Sequence, residues 1–199
     1  INQETHLSKS TIGTLQKILK GTCYNSCFMS NARGVLLWVC QRSNVTVREM
    51  QTGPDGRFLI AYCCIKAFLD GCVGVYGPNF DYPQFFKDLQ FKLHRYGDVP
   101  QLWGGDFNCI LDLERDRSGG PPKCPSVASS TLQSIMEHDN LMDVRPHFHP
   151  VNAGYPHYSF SHDIHTRIYY CSISCRLFPQ IVHCEHFPGT YSDHSPVLL

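Results

Sequence analysis

The stretch Trp103-Gly104-Gly105-Asp106-Phe107-Asn108 constrains this chain more than any other. An apolar, strand-like approach ends in two glycines, which let a backbone pass close to a ligand. A carboxylate and an amide follow, separated by a phenylalanine. A strand's period of two turns Asp106 and Asn108 to one side and Phe107 into the core. The chain therefore needs a sheet whose strand ends open onto a site.

Three further strings share this character: Gln3-Glu4-Thr5-His6, Tyr76-Gly77-Pro78-Asn79 and Ser192-Asp193-His194. Each places metal-, phosphate- or proton-holding groups at the end of an apolar run. Singly they are weak signals. Glu4 reads as a solvated surface charge, and Tyr-Gly-Pro-Asn reads as a turn in which Pro presets one dihedral and Gly or Asn tolerates the next. Together they supply carboxylates for a hard divalent cation, a carboxylate–amide pair for a water and a histidine for phosphate. That is the equipment of a metal-dependent phosphodiesterase.

A length of 199 residues fits one domain, and 42% hydrophobic residues with twelve Phe suffice for a core. Net charge is zero with an isoelectric point near 7.2, so the basic signature of a stand-alone nucleic-acid binder is missing. A nuclease with local, metal-assisted phosphate contacts stays compatible with that balance. Eleven cysteines, odd in number, form no CxxC with a matching partner pair, which speaks against a cysteine-built zinc site. Reduced, mostly buried thiols in an intracellular protein are the expectation. Among the eleven histidines, His147, His149, His157, His162 and His165 lie in a loop-rich stretch without helical i, i+4 spacing, and read as surface or loop residues. No apolar run approaches the ~20 residues a membrane span needs, and no signal peptide opens the chain.

Helical spacing of Ile12, Leu15, Ile18 and Leu19 predicts a helix over 8–20, stopped by Gly21. Strand-like runs follow at 34–40, 45–50, 58–65 and 72–75, with Pro54-Asp55-Gly56 as a turn. Asp81-Tyr82-Pro83 starts a second helix with Phe85, Phe86, Leu89 and Leu93 on its core face. A strand over 101–107, a polar loop over 112–126, a helix over 127–138, a loop to Pro156, and strands near 168–174 and 196–199 complete the reading. Strands and helices interleave without strict alternation, which predicts an α+β or layered α/β domain.

In order and spacing these strings resemble the endonuclease/exonuclease/phosphatase superfamily, and within it the endonuclease domain of LINE-type (non-LTR) retrotransposon reverse-transcriptase proteins. Gln3-Glu4-Thr5-His6-Leu7, Gly56-Arg57-Phe58, Val75-Tyr76-Gly77-Pro78-Asn79, Gly104-Gly105-Asp106-Phe107-Asn108, Leu141-Met142-Asp143, Thr166-Arg167-Ile168 and Ser192-Asp193-His194-Ser195-Pro196 carry the resemblance. It implies a DNase I-like fold, two β-sheets packed as a sandwich with flanking helices, and a site at one edge. It implies Mg²⁺ (or Mn²⁺) held by Glu4 and Asp193. Asp106 activates the water or protonates the leaving group, while Asn108 holds the phosphate or the same water. Tyr76 donates to a phosphoryl oxygen, and His194 binds the phosphate, with Ser192 beside it. Arg117 is a candidate for the DNA backbone or an exposed loop charge. The implied partner is DNA, with the chain a monomeric domain of a longer polypeptide acting in the nucleus.

Departures from the pattern point towards an impaired copy. The family's first strand, which carries an Asn beside the metal carboxylate, is missing, so residues 1–199 read as one N-terminally truncated domain with an unpaired sheet position. Such an edge predicts low stability and aggregation. The family's Arg-Ile-Asp-Tyr is here Arg167-Ile168-Tyr169-Tyr170, so Tyr169 replaces the carboxylate that pairs with the histidine. In serine proteases the loss of such a carboxylate costs about 10⁴-fold. Pro156 stands where the family has a Thr, and the Trp after Met142-Asp143 is absent. Competing readings are a repair-type apurinic/apyrimidinic endonuclease or exonuclease, and a non-catalytic remnant that binds nucleic acid or protein. A phosphoinositide phosphatase is disfavoured because His165-Thr166-Arg167-Ile168 lacks that group's Trp and Asp.

Overall fold

Residues 35–40 are apolar throughout, and a strand's alternation sends them to both faces, which fixes how the N-terminal layers stack. The computed structural model describes residues 1–7, 9–29, 32–65, 68–121, 123–151, 154–159, 163–186 and 197–198. One compact unit comprises Ile1–Gly77 and Tyr96–Asp106. It contains β1 (Asn2–Gln3), α1 (Lys9–Leu19), β2 (Gly21–Ser26), β3 (Val35–Cys40), β4 (Val45–Thr52), β5 (Phe58–Ile65), β6 (Phe68–Tyr76) and β7 (Gln101–Asp106). Strands β1, β3 and β2 form an antiparallel flanking sheet in that order. Strands β4, β5, β6 and β7 lie side by side in the central sheet, antiparallel except for the β6–β7 pair, which is parallel.

Val35 and Leu37 of β3 join Leu59, Ala61 and Cys63 of β5 in one buried cluster, while Leu36 packs with Ile12 of α1 and Cys23 of β2. Period-two alternation thus puts α1 outside the flanking sheet and the central sheet beneath it. Each fully buried apolar side chain here contributes roughly 1.5–3 kcal/mol. The parallel pairing sets Val75 opposite Gly105 and Tyr76 opposite Asp106. Gly105 has φ +151, and a Cβ there would fall on the Val75 carbonyl oxygen. The close approach that the double glycine predicts is therefore made to a neighbouring strand.

The second unit comprises Pro78–Arg95 and Phe107–Leu199. It contains α2 (Pro83–His94), β8 (Arg117–Ser118), α3 (Val127–His138), β9 (Leu141–Asp143), α4 (Arg145–Phe148), β10 (His157–Ser159), β11 (Ile164–Thr166), β12 (Tyr169–Ser174), a 3₁₀ turn over Cys175–Gln180, β13 (Glu185–His186) and β14 (Val197–Leu198). Pro83 opens α2 with its preset φ, and α2 packs against α3. Phe86 stacks on Phe107, whose ring meets Tyr170 edge-on. At the start of α3, Ser126 Oγ accepts from Ser129 N at 3.1 Å. Both oxygens of Asp81 take the next free amides, Val127 N at 3.0 Å and Ala128 N at 2.7 Å.

The main helices fall where the sequence predicts them. The structure adds β2 after α1, and β8 inside the expected polar loop. It also places β9 and α4 in the expected loop before Pro156, and the β10–β11 hairpin after it. Most of these pieces are two to four residues long, too short to show a period, and the strands among them exist through their pairing partners.

Candidate active site

Glu4 follows directly on β1, and its backbone takes the left-handed conformation, φ 49. Thr5 N and His6 N then bond to Gly34 O and Arg33 O, at 3.3 and 3.0 Å, which anchors the segment beside β3. Tyr76 ends β6, and its hydroxyl donates to Glu4 Oε1. Asp106 ends β7, opposite Tyr76, and is buried. The backbone locks the pair in place: Tyr76 N donates to Arg57 O and Gly77 N to Asp106 O, both at 2.7 Å. Three predicted residues, Glu4, Tyr76 and Asp106, are thus brought together within the first unit.

The electrostatics follow from that convergence. Burial, the hydrogen bond to Glu4 and the negative charges of Glu4 and Asp106 together push the Tyr76 hydroxyl well above the usual phenol range. Tyr76 is therefore a neutral donor throughout the physiological range. Arg57 opposes this shift from below, its guanidinium 5.3 Å from the Tyr76 ring centroid. Arg57 Nη1 donates to Gly77 O at 2.8 Å, and its Nε lies 3.3 Å from Asp55 Oδ2, which also meets Arg33 at 3.5 Å. Burial lowers the Arg57 pKa, helped by Arg33 and resisted by Asp55 and Tyr76. The sequence reading gave Arg57 no role, although an arginine opening the buried run 58–63 is the signal that marks it.

Asn108 belongs to the second unit. It has φ 51, so the strand alternation that predicts it on the same side as Asp106 stops at the end of β7. Its side of the second unit is a cleft of about 660 Å³, lined also by Asn79, Lys123, His157 and Thr166. Phe107 is buried as predicted. Arg117 is half-buried in β8, Pro156 precedes β10, and Tyr169 is buried in β12. Ser192, Asp193 and His194 lie outside the described residues.

The second unit also holds a buried ionic hub. Arg167 Nε and Nη2 both reach Asp116 Oδ1 at 2.8 Å, and Nη2 lies 2.7 Å from Asp143 Oδ2. Tyr170 Oη donates to Arg167 O at 2.7 Å and accepts from Leu111 N at 2.9 Å, while the guanidinium sits 4.5 Å from the Tyr170 ring centroid. Burial alone would lower the Arg167 pKa, but the two carboxylates outweigh it and raise it above its ordinary value. Asp116 and Asp143 carried no role in the sequence reading.

No family model matches the sequence. Solved structures do resemble this chain. The AP endonuclease LMAP from Leishmania major superposes with a TM-score of 0.79 at 16% identity, covering 98% of this chain and 75% of that one. An AP endonuclease from Archaeoglobus fulgidus gives 0.70 at 17%, covering 98% and 85%. The 3' phosphatase NExo from Neisseria, bound to a product DNA hairpin, gives 0.70 at 19%, again covering 98% and 85%. At these identities the likeness is one of fold. It establishes the mixed α/β, DNase I-like architecture, with central and flanking sheets, that the sequence predicts.

Proposed function

We propose that this chain is a divalent-metal-dependent phosphodiesterase, the DNA-nicking endonuclease domain of a LINE-type retrotransposon protein, with a site weakened at Tyr169. The observation that carries the reading is the Tyr76 hydroxyl bonded to Glu4, with the charge of Asp106, its strand neighbour, acting on it. An oxygen-only donor set suits Mg²⁺ or Mn²⁺, and the negative field that raises Tyr76 is what a cation would neutralise. Glu4 would hold the ion, with Asp193 as second carboxylate, and the ion would neutralise charge on the phosphoryl oxygens.

Other steps fall to the chain's own groups. Tyr76, held neutral, gives a hydrogen bond to a phosphoryl oxygen in place of the one it gives Glu4. Asp106 takes a proton from the attacking water or delivers one to the leaving oxygen, and its burial keeps it in position. Asn108 orients phosphate or water, and His194 binds the phosphate. Tyr169 offers no carboxylate to orient and charge His194, so turnover is slow. If active, the domain works in the nucleus.

The test is nicking of supercoiled plasmid with Mg²⁺, comparing the chain with Asp106→Ala and Tyr169→Asp. Slow nicking that Asp106→Ala abolishes and Tyr169→Asp accelerates is the expected result. Nicking that survives Asp106→Ala would overturn the assignment. A repair-type apurinic/apyrimidinic endonuclease is the second reading, favoured by the AP endonucleases among the fold's relatives. An oligonucleotide with one abasic site separates the two: cleavage confined to that site favours repair.

A further inference from the structure

Outside this site, α2 and α3 end together, and their last residues are both histidines, His94 and His138. Asp139 follows His138 as the cap residue of α3, its side chain 5% exposed between them. His94 Nε2 lies 3.0 Å and His138 Nδ1 2.7 Å from one oxygen, Asp139 Oδ1. Gln90 Nε2 donates to that same oxygen at 3.1 Å. Asp139 Oδ2 is buried and has no hydrogen-bond partner among the described residues.

Hydrogen bonding alone leaves this carboxylate badly served. Three groups crowd an oxygen with two lone pairs, while the other lies buried with none. A cation taking lone pairs from both imidazoles and the carboxylate relieves that crowding. Two helix C-termini converge there, and their partial negative charge favours a cation at that point. The three ligand atoms lie within 4.8 Å of one another, close enough to converge on one ion after small side-chain rotations. Two imidazole nitrogens with one carboxylate select a first-row transition ion of the zinc type and not Mg²⁺. Gln90 then serves as the outer partner that orients the carboxylate.

We infer that His94, His138 and Asp139 form a transition-metal site at the joined ends of α2 and α3, separate from the Glu4–Asp106 centre. Because His94 and His138 are exposed, the remaining coordination positions face water. The ion acts as a staple between two helices and raises stability on binding.

Co²⁺ titration of the full chain, kept reduced, tests this through visible ligand-field absorption and the thermal midpoint. In excess Mg²⁺, which occupies the proposed oxygen-only Glu4–Asp193 centre, expected are one saturating equivalent, no sulfur charge-transfer band and a raised midpoint. His138→Ala and His94→Ala, each an exposed position, should weaken binding at least about tenfold, while His183→Ala leaves it unchanged. Absent saturable binding, a thiolate band, or equal affinity in His138→Ala and the parent would each overturn the site.

Discussion

Tyr76 keeps its proton at a pH where an ordinary phenol has lost it, because burial, the hydrogen bond to Glu4 and the charges of Glu4 and Asp106 all disfavour the phenolate. Between the unfolded value of about 10 and the raised folded value, the native state binds a proton that the unfolded chain releases. Stability from this group is complete below about pH 10 and falls as pH rises beyond it. Tyr76→Phe should flatten that alkaline fall, read as a smaller drop in the urea midpoint between neutral pH and pH above about 10. Arg167 makes the complementary case. Removing it as Arg167→Met leaves Asp116 and Asp143 buried and uncompensated, so urea unfolding should show a loss of about 3–5 kcal/mol. Tyr76 and Asp106 stood out in the sequence because each closes an apolar run, and Glu4 through the family resemblance. Asp116 did not, since its partner Arg167 is 51 residues away, and Arg57 did not, since a single charged residue gives no period. The left-handed backbone of Asn108 was not legible, because the alternation assumed from sequence continues a strand that ends at Asp106.

Among the elements, α3 depends on a side chain from before α2. Asp81 accepts from Val127 N and Ala128 N while Ser126 serves Ser129 N, so three of the four free amides of the first turn are met. Asp81→Ala should therefore destabilise by about 1 kcal/mol, measured by thermal or urea unfolding. Its helical signal was legible from the spacing of Leu132 and Ile135, whereas the Asp81 contribution was not, because 46 residues separate it from Val127. Strands β3 and β5 were legible for the opposite reason: their apolar residues are numerous enough to show a pattern. The two-residue β8 borrows its conformation from β11 and left no trace in the sequence.

At the scale of the molecule, the flanking sheet presents an aromatic ring to solvent. Trp38 on β3 is 37% exposed. Exposed apolar rings invite association between chains. Heating should therefore give concentration-dependent light scattering, and Trp38→Lys should reduce it at equal protein concentration. A scattering rise identical in the variant would locate the sticky surface elsewhere. The layering of two sheets with helices outside was legible only through the family resemblance, because 35–40 is apolar throughout and shows no alternation. The division into two compact units was not, because each unit takes chain from two separate stretches.

The pairing of Gly77 N with Asp106 O carries one more consequence. Two side chains of the proposed site are joined through a single amide at the end of the β6–β7 pair, so their spacing is a property of the backbone. That amide becomes an internal clock for the site. Its deuterium uptake should track opening of the β6–β7 pair, and loss of the proposed nicking activity should keep pace with it at every temperature. Exchange much faster than inactivation would mean that the spacing of Tyr76 and Asp106 is held by something other than the strands.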